Sequence, residues 1–183
     1  SLASLEMPKP DKTNIRNWHF TEFSNHTVDS NVFSSLDELP EEVKALLDAE
    51  EKHNIYVQRN NTPAYVSLSE TLKEQGVIFT DIITAAREHS ELVQKYFMTK
   101  GIKSDEHRLT ALHAALMNGG IFIYVPKNVE IKEPLQAVFL RDNKDASLFN
   151  HALIVADENS QVTYVENYIS TVEGAGLANI LTE

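Results

Sequence analysis

Seven histidines are the side chains best suited to chemistry in this 183-residue chain, because imidazole binds metals and moves protons near neutral pH. Glu50-x-x-His53 sets a carboxylate and an imidazole one helical turn apart, half of the carboxylate-bridged di-metal motif of helical bundles. No second Glu-x-x-His occurs, so the pair reads as a solvated helix end. His107 and His113 lie six apart, which sends them to different faces of a helix, so they cannot share a metal without help. His113 falls beside an apolar stripe and is expected to be a hydrogen-bonded core histidine. Arg141-Asp142-Asn143-Lys144-Asp145 is a charged turn. On a stacked β scaffold such acids beside a base suit the calcium-assisted proton abstraction of polysaccharide lyases, but nothing repeats nearby to complete the site. Gly174-Ala175-Gly176 lacks the third glycine and the strand–turn–helix setting of a nucleotide fingerprint, and is read as a loop. Asn25-His26-Thr27 fits a glycosylation sequon, which a cytoplasmic protein leaves unused. Cysteine is absent, so these residues alone make no disulfide, thiolate nucleophile or cysteine-ligated metal site. No Ser/His/Asp order or phosphate loop is recognisable. No residue is nominated as catalytic, cofactor-binding or metal-binding, and no enzyme activity is expected.

The bulk chemistry narrows the class. A formal net charge of −11 argues against nucleic acid or an anionic membrane surface, since both select clustered Lys and Arg. The longest apolar run is far short of a bilayer span, and SLASLEMPKP has no basic region followed by an apolar stretch. A cytoplasmic location is the expectation.

The elements that must position these residues fall into three stretches. Residues 1–36 read as an irregular arm, with Trp18, Phe20 and Phe23 as docking anchors. Residues 37–118 read as mainly helical with a small hairpin. LDELPEEVKALLDAEEKHN carries Pro40 near a helix start, acids in the first turn and Val43, Leu46 and Leu47 on one face. Ile55–Ser69 alternates at period two about Asn60-Asn61-Thr62-Pro63, a hairpin pattern. Helical spacing returns over 80–97, with Thr80 as cap, and again in DEHRLTALHAALMN, where Leu109, Leu112 and Leu116 face inward. Gly119-Gly120 is expected to close that helix, at least one glycine supplying a left-handed backbone.

From 119 to 183 the pattern is all β. Ile121, Ile123 and Val125 alternate with polar or outward residues, as do Val129 and Ile131, then Leu135, Ala137 and Phe139. Leu153 with Val155 and Val162 with Tyr164 follow. Short strands separated by turns, with Pro126 and Pro134 at corners, suit a sandwich, a barrel or a β-solenoid. A solenoid of about 20-residue coils would fit roughly three coils here. No Lys or Arg follows Lys144, while six acids do, and GAGLANILTE supplies no evident cap. The chain is therefore expected to be a fragment, with a complete acidic protein as the alternative.

HRLTALHAALMNGGIFIYVPKNVEIKEPLQAVF (107–139) carries a resemblance. A Leu/Ala-rich helix, a double glycine, an aromatic-aliphatic strand, Val125-Pro126-Lys127 and Glu133-Pro134 resemble the SufB/SufD family of iron–sulfur cluster assembly scaffold proteins. FNHALIVADENSQVTYVENYIS (149–170) is similar to the family's next coils, and MPKPDKTNIRNWHFTEF (7–23) to the arm of the SufD branch. SufB-type sequences typically read YVEGC where Tyr164-Val165-Glu166-Asn167-Tyr168 stands here, so Tyr168 aligns this chain with the branch lacking that thiol.

The resemblance implies an α+β fold, an N-terminal helical region followed by the start of a right-handed parallel β-helix. It implies a scaffold subunit of the SUF system, working in a SufB–SufC–SufD complex and catalysing no bond change itself. Its partners would be a SufB-like scaffold subunit and a SufC-like ATPase, the latter held by a C-terminal region absent here. This chain alone would bind no cofactor; the iron–sulfur cluster belongs to the complex, and its assembly residues lie beyond this chain. The competing reading is a stand-alone β-solenoid or cupin-like domain that binds or acts on carbohydrate.

Overall fold

The computed structural model describes residues 2–20, 30–47, 53–173 and 177–183, in a mixed α and β fold. Helix α1 (Glu41–Lys44) starts after Pro40 with Glu41 and Glu42 in its first turn. It is only four residues long, shorter than its sequence pattern implied, and continues as single turns to Leu47. Strands β1 (Ile55–Arg59) and β2 (Thr62–Ser67) form the expected hairpin. Its turn is Asn60-Asn61 alone, with Asn60 at φ 53°, while Thr62 and Pro63 belong to β2. Pro63 is tolerated because β2 is the outermost strand of its sheet, where a missing N–H breaks no ladder.

After the short helix α2 (Glu70–Glu74) the structure departs from the single helix expected over 80–97. Strand β3 (Ile78–Asp81) comes first, then α3 (Ile82–Glu88) and α4 (Ser90–Tyr96), broken at His89. Pairing decides this: Thr80 lies opposite Phe122 in the sheet, and Phe79 is buried in the interior. The cap of α3 is accordingly Asp81, whose Oδ1 accepts the Thr84 N–H at 2.8 Å. Asp81→Ala should lower stability by about 1 kcal/mol and Asp81→Asn by a few tenths, read from the shift in the urea midpoint.

Helix α5 (Arg108–Leu116) is closed at its start by a capping box: the His107 ring accepts the Thr110 N–H, and the Thr110 hydroxyl accepts the His107 N–H. It ends at Leu116, ahead of the glycines. Gly119 and Gly120 instead open β4 (Gly119–Val125), a correction to their reading as a helix stop. Gly120 does have a positive φ, +125°, but inside a strand. A Cβ there would stand 2.0 Å from the His151 carbonyl oxygen, so the neighbouring backbone is what demands glycine.

The remaining strands are β5 (Leu135–Arg141), β6 (Leu148–Ala156), β7 (Tyr164–Ser170) and β8 (Ala178–Thr182). Two four-stranded sheets result, ordered β2-β1-β5-β7 and β3-β4-β6-β8. From β4 onward the chain alternates between the sheets, and strands two apart pair in parallel: β4 with β6, β5 with β7, β6 with β8. Ile121 pairs with Ala152, and Leu135 with Tyr164. The spacing between paired strands is longer than the coil expected from the sequence, because a strand of the other sheet and two connections lie between them. Val129–Ile131 is not a strand; the stretch contributes only the parallel bridge Glu130–Gln161.

Pro126 and Pro134 do flank strands. The turn after β4 is echoed by the turn after β6. Asn128 (φ 64°) and Asn159 (φ 55°) both take left-handed backbone, and Asn159 Nδ2 donates to Asn128 Oδ1 at 3.0 Å.

Strand parity sorts the core. Tyr56, Ile121, Ile123, Leu135 and Phe139 fill the space between the sheets. Val43 of α1 packs with Ile55, Val57, Val138 and Leu140 on the outside of the first sheet. Ile82, Ala85 and Val93 of α3 and α4 pack with Phe122, Leu153 and Val155 on the outside of the second. The arm is held differently from the expectation. Trp18 is 58% exposed and Phe20 half-buried, while the Leu5 and Glu6 carbonyls accept from Arg108 and Phe33 packs on the first sheet's outer cluster and donates its N–H to the Ala64 carbonyl. Phe23 lies outside the described residues.

Candidate functional site: a buried histidine pair ending on Glu183

Strand β6 alternates its side chains, so Asn150 faces the space between the sheets while His151, with Leu153 and Val155, faces the helices. His151 is fully buried, its ring centroid 4.5 Å from that of Phe97. Helix α5 delivers His113, also fully buried, so that its Nε2 lies 3.1 Å from His151 Nδ1. His151 Nε2 lies 3.1 Å from Oε1 of Glu183, the residue directly after β8. At the other end, the Asn179 carboxamide of β8 is 3.0 Å from His113 Nδ1. Asn179 and Glu183 are four apart on an extended strand, hence on one face.

Protonation follows from burial. Desolvation is the main cause that lowers His113 below its usual value, the Asn179 contact opposing it. His151 is pushed down to about 3, first by burial and then by the neighbouring His113. Both rings are therefore neutral at pH 7, and each neutral ring donates once and accepts once. The Glu183 carboxylate only accepts, so His151 donates from Nε2 and accepts at Nδ1 from His113 Nε2–H. His113 Nδ1 must then accept in turn. Asn179 Oδ1 stands at that position, and a carboxamide turned by 180°, its oxygen and nitrogen exchanged, presents an N–H there instead. With that turn the hydrogen-bond chain runs one way, from Asn179 through both rings to Glu183.

The Glu183 side chain is 2% exposed and its carboxylate is well satisfied: Oε1 also accepts the Met98 N–H at 2.5 Å, and Oε2 accepts the Ile102 N–H at 3.2 Å. The ring nitrogens are spent on one another and do not converge on a shared point. Among the described residues no three His, Asp or Glu side chains form a metal-binding group.

A second polar cluster lies between the sheets. Gln58 of β1 accepts the Gly120 N–H at 3.0 Å and donates to Asn150 Oδ1 at 2.9 Å, while the Tyr56 hydroxyl donates to Gln58 Oε1 at 3.1 Å. Tyr168 stacks on Phe139, centroids 4.6 Å apart and planes within 10°. Burial raises the Tyr168 hydroxyl above its usual range, with the Glu166 charge adding to it. Its neighbour Tyr164 donates to Glu166 Oε2 at 2.8 Å.

The residues weighed from sequence are scattered. His107 caps α5, while His113 is the buried, hydrogen-bonded histidine expected of it. Asp142 pairs with Arg59 at 2.7 Å, and Arg141 donates to the Lys144 and Ala146 carbonyls, so the charged turn braces a corner. His53 is exposed and takes no part in the histidine chain, while Glu50, Asn25–Thr27 and Gly174–Gly176 lie outside the described residues. Sequence reasoning missed His151, Asn179 and Glu183. The available signal was a histidine and asparagine inside the strand FNHALIVA, where polar residues must find buried partners.

Comparison with known proteins gives the setting. A family model described as the N-terminal region of SufBD proteins matches residues 31–137. The iron–sulfur cluster assembly protein SufD of Bacillus subtilis (strain 168) is 62% identical over 181 residues, covering 98% of this chain and 41% of that protein. An iron–sulfur cluster assembly SufBD family protein of Staphylococcus saprophyticus is 37% identical over 150 residues, covering 78% of this chain and 32% of its own length. Its counterpart in Staphylococcus haemolyticus is 38% identical over 146 residues, covering 75% and 31%. The chain thus spans about two fifths of the Bacillus relative and a third of the staphylococcal ones. With more than half of its length matched by the family model, the chain belongs to the SufB/SufD family, in its SufD branch.

Proposed function

We propose that this chain is the N-terminal part of a SufD-type scaffold subunit for iron–sulfur cluster assembly in the SUF system. The observation that carries the reading is 62% identity across nearly the whole chain to a protein named for that role. The alternating parallel strands β4 to β8 support the finer fold reading, the opening circuits of a right-handed parallel β-helix. Tyr168, at the position where the sister branch typically has a thiol, supports a subunit that holds and positions without taking up sulfur. Its partners are a SufB-like scaffold subunit and a SufC-like ATPase, the latter engaged through the C-terminal region of the longer relatives. Catalysis and cluster ligation are assigned to the complex, and the setting is the cytoplasm.

No helix among the described residues is long and apolar enough to cross a membrane. A cupin-like carbohydrate domain would need antiparallel pairing, and β4 through β8 pair in parallel. The test is co-purification of a protein of the relatives' full length with SufB-like and SufC-like proteins. It should elute as one complex with both, whereas residues 1–183 should fail to retain the ATPase. A full-length protein that elutes alone, or that binds glycans, overturns the reading.

A further inference from the structure

Asn118-Gly119 is the only Asn-Gly step in the chain. Such a step is open to spontaneous deamidation, because glycine has no side chain to keep its nitrogen from the asparagine carboxamide. The Gly119 nitrogen attacks Asn118 Cγ, a C–N bond forms and the Cγ–Nδ2 bond breaks. Nδ2 leaves as ammonia, taking the proton that the Gly119 nitrogen gives up. One water then opens the cyclic imide at either carbonyl, giving aspartate or, with the main chain rerouted through the side chain, isoaspartate. In the fold this carboxamide is already engaged. Asn118 stands just ahead of β4, and its side chain takes the place of a peptide unit against β6. Oδ1 accepts the Phe149 N–H at 3.0 Å, Nδ2 donates to the Ser147 carbonyl at 2.9 Å, and the Asn118 N–H donates to the Phe149 carbonyl at 3.1 Å. Side-chain bonds to the residues on either side of Leu148 repeat the pattern of a parallel ladder. Gly119 is itself buried, so enclosed that a Cβ would stand 2.8 Å from Asn150 Oδ1 and from Gln58 Nε2.

We propose that Asn118-Gly119 is a deamidation site gated by the seating of β4 on β6: it is protected while the carboxamide is bonded to Ser147 and Phe149, converts when the start of β4 opens, and once converted opposes closure. For Cγ to swing onto the Gly119 nitrogen, both carboxamide bonds must first be released. β4 and β6 are the two inner strands of their sheet, so that release requires local opening of the ladder. The product does not fit back. Aspartate has no N–H for the Ser147 carbonyl and sets a negative charge against it. Isoaspartate lengthens the main chain just ahead of Gly120, whose approach to the His151 backbone leaves no room for a shift. Conversion runs one way, so a modified chain records a past opening of this ladder. This holds whether or not the scaffold role stands.

Peptide mapping that separates asparagine, aspartate and isoaspartate at position 118 tests it, on full-length protein held in mildly alkaline buffer, native and urea-unfolded. Conversion should be about a hundredfold slower in the native protein, because the fraction of time the site is open sets its rate. Equal rates in the two states would overturn the proposal. Urea below the unfolding transition tests the gate on the same unaltered chain. Conversion should rise in proportion to amide exchange at Phe149, which donates to Asn118 Oδ1. Conversion that stays flat while that exchange climbs would defeat the gate. The product is mimicked by Asn118→Asp, which should lower the folded-to-unfolded ratio about tenfold through the lost bond to Ser147. A variant as stable as the parent would sink the claim that conversion opposes closure. If Asn118→Asp fails to fold, that opposition is upheld, and the two measurements on the unaltered chain still decide the gate.

Discussion

Gly120→Ala is expected to abolish the native packing of β4 on β6, or to cost more than about 4 kcal/mol where the protein still folds. The new methyl carbon would meet the His151 carbonyl oxygen at 2.0 Å, its nitrogen at 2.5 Å and its carbonyl carbon at 2.7 Å. All three are main-chain atoms of a paired strand, and they cannot swing aside as a side chain would. The φ of +125° adds backbone strain to the clash. Moving β6 away would break the ladder to β4 and the contact between His151 and His113 together. Urea denaturation followed by circular dichroism reads the loss. A midpoint within error of the parent would show that the two strands do not approach as described.

Acid should destabilise the protein through its buried histidines. An unfolded histidine takes up a proton near pH 6.5, whereas His151 in the fold does so only at about 3. The unfolded state therefore binds more protons between those values, and stability contributed by the neutral ring is complete above pH 6.5 and declines as pH falls toward 3. At pH 4.5 the expected loss from this ring is about 2–3 kcal/mol, at 1.36 kcal/mol per pH unit. His113, lowered by its own burial, acts in the same direction. The comparison that isolates the effect is His151→Gln, which keeps a buried polar group but cannot titrate. The parent should lose stability between pH 6.5 and 5, and the variant should lose much less over that interval. Parallel curves for the two proteins would sink the assignment of neutral rings.

The β alternation was legible because it is local. Ile121, Ile123 and Val125, and Leu135, Ala137 and Phe139, face the interior as their spacing alone required. The hairpin about Asn60-Asn61, the proline corners and the family signature were equally readable from neighbours in the chain. The stretch 78–97 was not, because its apolar residues satisfy both periods. Only β4, well beyond it in the chain, offers the partner that makes a strand of Ile78–Asp81. The double glycine stands out locally as a helix stop, whereas the real constraint on Gly120 is the backbone of His151 on the neighbouring strand β6.

From its sequence alone this chain was legible as cysteine-free and acidic, similar to the SufB/SufD family, mainly helical with a small hairpin before the double glycine and all β after it. Composition and periodicity depend on adjacent residues and need no knowledge of which strand lies beside which. Only tertiary structure brought His113, His151, Asn179 and Glu183 into one chain of hydrogen bonds. Their meeting depends on the parallel register of β4, β6 and β8 and on how α5 lies across it. Register is set by packing between distant segments, so no window along the sequence contains it.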